Sequence, residues 1–249
     1  MDHGIDKNSP YFIGWFIGVP GLYFSLLTYF RLKNYWSFAT RKGSRASDIM
    51  AFEIVAGACV TYLGIAGFIA YFSLFGVDEV SNLEQNKFYG KSDYVVNHLI
   101  YPMISYQGWN LLLCLVNSDL RDPFMIGHHA VTGSLAYFGL APYLHFYGLF
   151  YFGIAELTNI PLTIVDVFKY FPDMAKSMPI TNQINRISFA VSFIILRLII
   201  WPIYSYPFWV GSIELLKTNT AHSSAVVGIF LGANLFLTGL QFLWGSKVI

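Results

Sequence analysis

Seven stretches of mostly apolar residues, each about 20 residues long, constrain the fold of this chain more than any other feature. A bilayer core about 30 Å thick requires roughly 20 apolar residues in a helix that rises about 1.5 Å per residue. The windows are bounded by charged residues, Gly or Pro, and they cover approximately residues 11–30, 49–75, 94–116, 124–141, 144–168, 187–210 and 223–244. The sequence therefore predicts an all-α, polytopic membrane bundle of about seven transmembrane helices. The fourth window is short, and only "LAPY" separates it from the fifth, which indicates a tight helical hairpin.

Composition excludes several other classes of protein. Hydrophobic residues make up 55% of the chain and charged residues 12%, which lies outside the range of ordinary soluble domains. Fifteen Lys and Arg against fourteen Asp and Glu leave no basic field for nucleic acid, so no nucleic-acid partner is expected. The polar N-terminal decapeptide "MDHGIDKNSP" lacks the basic segment of a signal peptide, so we expect no cleavable targeting sequence. Cys59 and Cys114 fall in apolar windows and are interpreted as small hydrophobic residues, and no metal site is predicted.

The distribution of positive charge predicts an orientation. Four Lys lie on one side of the predicted spans: Lys7, Lys87, Lys91 and Lys217. Ten Lys and Arg lie on the other side: Arg31, Lys33, Arg41, Lys42, Arg45, Arg121, Lys169, Lys176, Arg186 and Lys247. The positive-inside rule then places the N-terminus outside and the C-terminus in the cytosol or an equivalent compartment. We expect the endoplasmic reticulum, with the mitochondrial inner membrane as the alternative. Aromatic residues near the span ends fit interfacial anchoring: Trp36, Tyr94, Trp209 and Trp244.

Ionisable residues inside the apolar windows are the candidate functional groups. Each costs at least about 2.5–3.5 kcal/mol near the bilayer centre, so they should face the bundle interior and have partners. They are His128, His129, Glu156, Asp166 and Arg197. In the fifth window four polar residues fall within an arc of about 80° on a helix: Glu156, Asn159, Thr163 and Asp166. Pro161 should bend this helix and free the carbonyl of Leu157 close to the polar face.

Three of these groups are predicted to lie at a common depth. Counting residues from the span ends places His128, Glu156 and Arg197 in the inner half of the bilayer. Further polar residues on other spans include Gln107, Asn110, Asn234, Thr238 and Gln241. The pattern predicts a polar-lined cavity inside the bundle. The alternative is purely structural: Glu156 and Arg197 neutralise each other, and His128 binds a backbone carbonyl. Asp166 and Glu53 can equally be interpreted as solvated helix ends.

The segment "HHAVTGSL" resembles the opening of the signature of the TLC-domain family, which includes the ceramide synthases. The ceramide-synthase form reads HHxxTxxL, then a Gly, then HDxxD followed by Leu-Glu. Six positions match this pattern: His128, His129, Thr132, Leu135, Gly148 and Leu162. The HDxxD positions hold Ala155, Glu156 and Asn159 instead, and Thr163 replaces the last Glu, which is similar to a broader branch carrying HH and then E-x-x-N.

Two later segments extend the resemblance. "RLIIWP", with Arg197 and Pro202, resembles the next helix of the family, and "LQFLWGSKVI" resembles its Trp-containing last helix. The resemblance covers about residues 45–249 as a TLC domain. Residues 1–44 then form an N-terminal segment with one extra transmembrane helix and a basic loop. The resemblance implies a six-helix, barrel-like bundle that encloses a lipid chain.

The resemblance leaves three functions open. The first is acyl transfer to a lipid amine or hydroxyl, in which His128 or His129 acts catalytically and Glu156 orients or stabilises it. In that case acyl-CoA is a compatible substrate, and the remaining candidates for ligand binding are Thr132, Asn159, Thr163, Arg197 and Asn234. The second is a non-catalytic binder of an acyl chain, with a bound phospholipid or sphingolipid. The third is a structural subunit of a larger membrane assembly, with partner subunits and a retained lipid. The altered HDxxD disfavours ceramide synthesis itself.

Overall fold

The computed structural model describes residues 9–40, 42–73, 83–141 and 143–248. Its main helices, in chain order, are α1 (Pro10–Leu32), α2 (Ala46–Ser73), α3 (Asp93–Val116), α4 (Pro123–Phe138), α5 (His145–Tyr170), α6 (Pro172–Ser177), α7 (Pro179–Lys217) and α8 (Ser224–Val248). The expected all-α, polytopic class is confirmed. Some predicted features lie outside the described residues: the end of the second window, the Pro of "LAPY", the N-terminal decapeptide up to Asn8, which includes Lys7, and Arg41.

Six of the described helices are long and apolar enough to cross a membrane: α1, α2, α3, α5, α7 and α8. The fourth predicted span corresponds to α4, which has only 16 residues and therefore reaches about 24 Å. The sixth predicted span is longer than expected, because α7 continues for 39 residues from Pro179 to Lys217.

Six of these helices close into a ring. Around the ring, α2 packs against α3, α3 against α4, α4 against α8, α8 against α7, α7 against α5, and α5 against α2. Helix α1 packs on α2 and α3 and leaves much of its surface exposed, including Ile17 and Leu32. Since an apolar exposed face is stable in lipid rather than in water, this exterior fits a bilayer. The interior of the ring is where polar side chains can be shielded from lipid.

Hydrogen bonds fix the two ends of α4. At one end Asp122 caps α4 by accepting from the backbone N–H groups of Phe124, at 2.8 Å, and Met125, at 3.1 Å. At the other end His145 joins three segments. Its Nδ1 accepts from the Ser92 N–H at 3.0 Å, and its Nε2–H donates to the carbonyls of Gly139 and Ala141. These bonds fix the neutral tautomer of the ring and tie the α4–α5 connection to the start of α3.

Helix α5 is irregular in its first half. Residues Leu149–Gly153 form π-helical turns and residues Ile154–Thr158 form a 3₁₀ segment, before regular α-helix resumes at Asn159. These irregular turns lie just N-terminal to Pro161, which offers no N–H to the preceding turn. The irregular stretch also crosses α2 closely. A Cβ on Gly67 would lie 2.3 Å from the Cα of Gly153, so only glycine fits at this crossing.

Replacement of Gly67 by Ala should separate α2 from α5 and lower the stability of the bundle by about 1–3 kcal/mol. Gly239→Ala is the matched control, because no atom lies within 4 Å of its added Cβ and helix propensity favours Ala. Thermal unfolding in detergent, followed by tryptophan fluorescence, measures both variants. Equal midpoints for Gly67→Ala and the wild type would contradict the close crossing.

The loops at the α4 N-terminal end converge on Asp119. Its carboxylate accepts from the Thr40 hydroxyl and from the Ser44 N–H, and the Lys42 ammonium donates to its carbonyl at 3.2 Å. Burial by itself raises the pKa of Asp119. The hydrogen bonds from Ser44 and Thr40 and the charge of Lys42 outweigh that effect, so the pKa lies below its ordinary value.

A carboxyl whose pKa is lower in the folded state stabilises the fold above its unfolded-state pKa, and that stabilisation is lost as pH falls through the folded-state pKa. We therefore expect Asp119→Asn to be less stable than the wild type at neutral pH, and the difference to shrink below about pH 4. Thermal unfolding of both proteins from pH 7 to pH 3 measures this. A difference that stays constant over the whole range would show that the carboxylate charge does not contribute.

Candidate functional site

A buried ion pair links α5 to α7. The Arg197 guanidinium lies 3.5 Å from Glu156 Oε1, and the two residues are 5% and 3% exposed. Asn159 Nδ2 donates to the second carboxylate oxygen, Oε2, at 2.8 Å. Arg197 Nε also donates to the Thr158 hydroxyl at 3.2 Å, and its guanidinium lies 5.6 Å from the Trp201 ring centroid. The pair thus has the additional hydrogen bonds that buried charges need.

Local structure explains the E-x-x-N spacing. Glu156 lies in the 3₁₀ segment and Asn159 begins the regular helix, so the two side chains, three residues apart, lie almost above one another. The same segment directs Thr158 toward Arg197, a contact that sequence periodicity did not predict. In a regular helix Thr158 would be rotated about 200° from Glu156 and would not face Arg197. The sequence indicates the irregular turn, and thus the contact between Thr158 and Arg197, only through the nearby Gly153 and Pro161.

The two adjacent histidines of α4 have different surroundings. His129 Nδ1 lies 2.5 Å from Gln107 Oε1 on α3, and because an amide oxygen only accepts, the histidine Nδ1–H donates. A Cβ on Gly133, one turn further along the same face, would lie 3.3 Å from the Gln107 Cβ. The face of α4 that carries His129 and Gly133 therefore packs against α3.

His128 faces the other way, into the bundle. Its Nδ1 is buried and has no hydrogen-bond partner within the described part of the chain. The expected bond to a backbone carbonyl is therefore absent from this nitrogen. Its ring meets the Trp244 ring edge-on, with centroids 5.6 Å apart. Trp244 was predicted as an interfacial anchor, but it covers this histidine. Trp209, also predicted as an anchor, donates its N–H to Asn234.

Two cavities meet at this cluster. The first, of about 500 Å³, is lined by all six helices of the ring and is bordered by most of the polar and charged candidates, so it is called the polar cavity. The second, of about 50 Å³, is mostly apolar and lies toward the His145 end, where Tyr147, Phe208 and Phe230 form much of its wall. Three residues line both cavities: His128, Glu156 and Arg197. They form the boundary between the polar and the apolar space.

The remaining candidates divide between the two cavities. His129, Asn159 and Thr163 line the polar cavity, whereas Thr132 and Asn234 line the apolar one. The Asn234 amide is already occupied, because it accepts from Trp209 at 2.8 Å and donates to Ser205 at 3.3 Å. The Thr163 hydroxyl donates to the carbonyl of Asn159 in its own helix. Both side chains thus bond within the protein, and each retains capacity for a further hydrogen bond.

The structure also resolves the two carboxylates that the sequence left open. Glu53 is 5% exposed and lines the polar cavity, so it is not a solvated helix end. Asp166 lines the same cavity, but its side chain is 33% exposed and lies 3.5 Å from the exposed Lys169 ammonium, which agrees with a solvated helix end. Among the described residues, no group of three or more His, Cys, Asp or Glu side chains is arranged to hold a metal ion.

A comparison with protein families assigns the chain. The family model described as TLC domain matches residues 50–249. The chain therefore belongs to the TLC-domain family and is a multi-pass membrane protein of that type. No curated protein and no solved structure matches the chain.

The ion pair gives a direct test of the site's architecture. Glu156→Gln leaves Arg197 as an uncompensated buried charge and should cost about 3–5 kcal/mol of stability. The double variant Glu156→Gln with Arg197→Gln removes both charges and should recover most of that loss. Thermal unfolding of Glu156→Gln, Arg197→Gln and the double variant gives a double-mutant cycle, which measures the interaction between the two side chains. Additive losses would show that the two side chains do not interact.

Proposed function

We propose that this protein binds an acyl lipid inside its helical bundle. The head group occupies the polar cavity, and the ester or amide region lies beside His128, Glu156 and Arg197. The observation that carries this proposal is the junction itself, since one set of polar side chains borders both a polar and an apolar space. An acyl lipid has the same division, with a polar carbonyl region between its head group and its chain.

The size and lining of the cavities support this function. A volume of about 500 Å³ lies within the range of roughly 300–1,000 Å³ typical of small-molecule sites. The apolar cavity of about 50 Å³ is much narrower, and its aromatic walls must move apart to admit a long chain. Tyr147 and Phe208, which both line it, pack edge to face with ring centroids 5.4 Å apart.

One observation favours acyl transfer as a second function at the same site. The bond from His129 Nδ1–H to Gln107 leaves the lone pair of the neutral imidazole on Nε2. A histidine oriented in this way is suited to accept a proton from a lipid hydroxyl or amine as that group attacks the carbonyl of acyl-CoA. The proton then passes to the departing CoA thiolate, so that an ester or amide bond forms as the thioester bond breaks. The Arg197 guanidinium, close to the same cavity, would stabilise the negative charge that develops on the carbonyl oxygen.

Native mass spectrometry of the protein, purified from its own membrane in a mild detergent, tests lipid binding. We expect a stoichiometric acyl lipid on the wild type and a several-fold lower occupancy for His128→Leu. This change removes Nδ1, a buried nitrogen that has no hydrogen-bond partner among the described residues and can therefore bond to the lipid. Ser134→Ala is the matched control, since Ser134 is exposed on the same helix and bonds only to the Ala130 carbonyl. Recovery of a lipid-free chain, alone or only within a larger assembly, would contradict the proposal.

Acyl transfer needs a separate measurement. Incubation with acyl-CoA and an extract of membrane lipids should give a new acylated lipid with the wild type and none with His129→Ala, while both retain bound lipid. Bound lipid without any product in the wild type would limit the function to binding.

The predicted orientation and the endoplasmic reticulum location stay predictions.

A further inference from the structure

We infer that Gln241 recognises the head group of the bound lipid and that this head group carries hydroxyl groups. The inference rests on the proposed lipid-binding function and specifies the class of ligand. Gln241 lies on α8 and lines the polar cavity together with His128, Glu53 and Asn110. It is 1% exposed, and neither atom of its amide has a hydrogen-bond partner within the described part of the chain.

The other polar residues on the same stripe of α8 show why Gln241 is different. The Thr238 hydroxyl accepts from the Trp201 indole N–H at 2.9 Å, and Asn234 is held by Trp209 and Ser205. These two side chains join α8 to α7 and are satisfied by the protein itself. Gln241 makes no such bond, although an unsatisfied buried polar group costs about 1–3 kcal/mol. Because buried polar groups in folded proteins have partners, its partner is to be sought in the cavity.

The chemistry of an amide limits what that partner can be. The Gln241 Oε1 only accepts hydrogen bonds and its Nε2 only donates them. An ammonium group would satisfy the oxygen alone, and a phosphate or carboxylate would satisfy the nitrogen alone. A hydroxyl group both donates and accepts, so two neighbouring hydroxyls, as in a glycerol or a sugar, satisfy both amide atoms. The orphaned His128 Nδ1 on the same cavity wall can also pair with a hydroxyl.

The charges around the cavity agree with an uncharged head group. Glu156 is paired with Arg197, and Asp166 with Lys169. The remaining charged residues of the lining are one acid, Glu53, and one base, Lys247. The lining therefore has no excess of either sign that would select a charged head group. Selection of the head group therefore depends on hydrogen bonds to its neutral groups.

The test compares four ligands that share an oleyl chain: 1-monooleoylglycerol, oleamide, oleylamine and oleic acid. Binding is measured by native mass spectrometry in an amine-oxide detergent, which has no hydroxyl groups to compete. We expect monooleoylglycerol to bind the wild type most tightly, and Gln241→Leu to weaken it about tenfold through the loss of two hydrogen bonds. Binding of oleylamine and oleic acid should change less than twofold.

Stability separates this role from a structural one. Gln241→Leu removes an unsatisfied buried amide, so its unfolding midpoint should equal or exceed that of the wild type. Thr238→Val is the matched control on the same helix: it loses the Trp201 bond, and we expect a lower midpoint with an unchanged order of ligand affinities.

The possible failures are distinguishable. Tighter binding of oleamide, oleylamine or oleic acid than of monooleoylglycerol, or equal affinities in wild type and Gln241→Leu, would overturn the inference while leaving lipid binding intact. A clear fall in the midpoint of Gln241→Leu would overturn it as well, because the side chain would then stabilise the fold. Absence of binding for all four ligands would instead contradict the proposed function itself.

Discussion

The buried ion pair between Glu156 and Arg197 is the interaction on which the interior of this bundle depends. Neither charge could remain in an apolar environment alone, since an isolated buried ion costs several kcal/mol even after relaxation. The pair therefore fixes how α5 and α7 face each other. Thr158 and Asn159 complete its hydrogen bonds, and Trp201 covers the guanidinium. The cluster divides the interior into a polar space and an apolar space.

Helix α5 can supply this cluster because its first half is not a regular α-helix. The glycine crossing at Gly67 and Gly153 brings the backbones of α2 and α5 into contact, and the π-helical and 3₁₀ turns around it change the direction of the following side chains. Pro161 lies one turn further on and donates no hydrogen bond to that region. Irregular turns of this kind often occur at functional sites. Here they bring Glu156, Thr158 and Asn159 together on the side of α5 that faces Arg197.

The histidine pair shows how much of the site a sequence pattern can predict. Adjacent residues on a helix point about 100° apart, so helix geometry alone requires different surroundings for His128 and His129, and the structure shows them. Their partners could not be predicted, because Gln107 is 22 residues away from His129 and Trp244 is 116 residues away from His128. Likewise, helical periodicity placed Glu156, Asn159, Thr163 and Asp166 on one face, and all four line the polar cavity. It could not show that Asn234 is occupied by Trp209 and Ser205.

The sequence by itself determined the membrane class, the approximate helices and the family, because each depends on local composition or on motifs along the chain. Apolar windows of about 20 residues and the HHxxT and E-x-x-N motifs are complete within short segments. The tertiary structure decided which polar side chains satisfy each other and which remain free. That outcome depends on helix packing across the ring, which joins residues far apart in the chain. Gln241 illustrates the difference: it belongs to the same stripe as Asn234 and Thr238, yet only packing reveals that, of the three, it alone has no hydrogen-bond partner among the described residues.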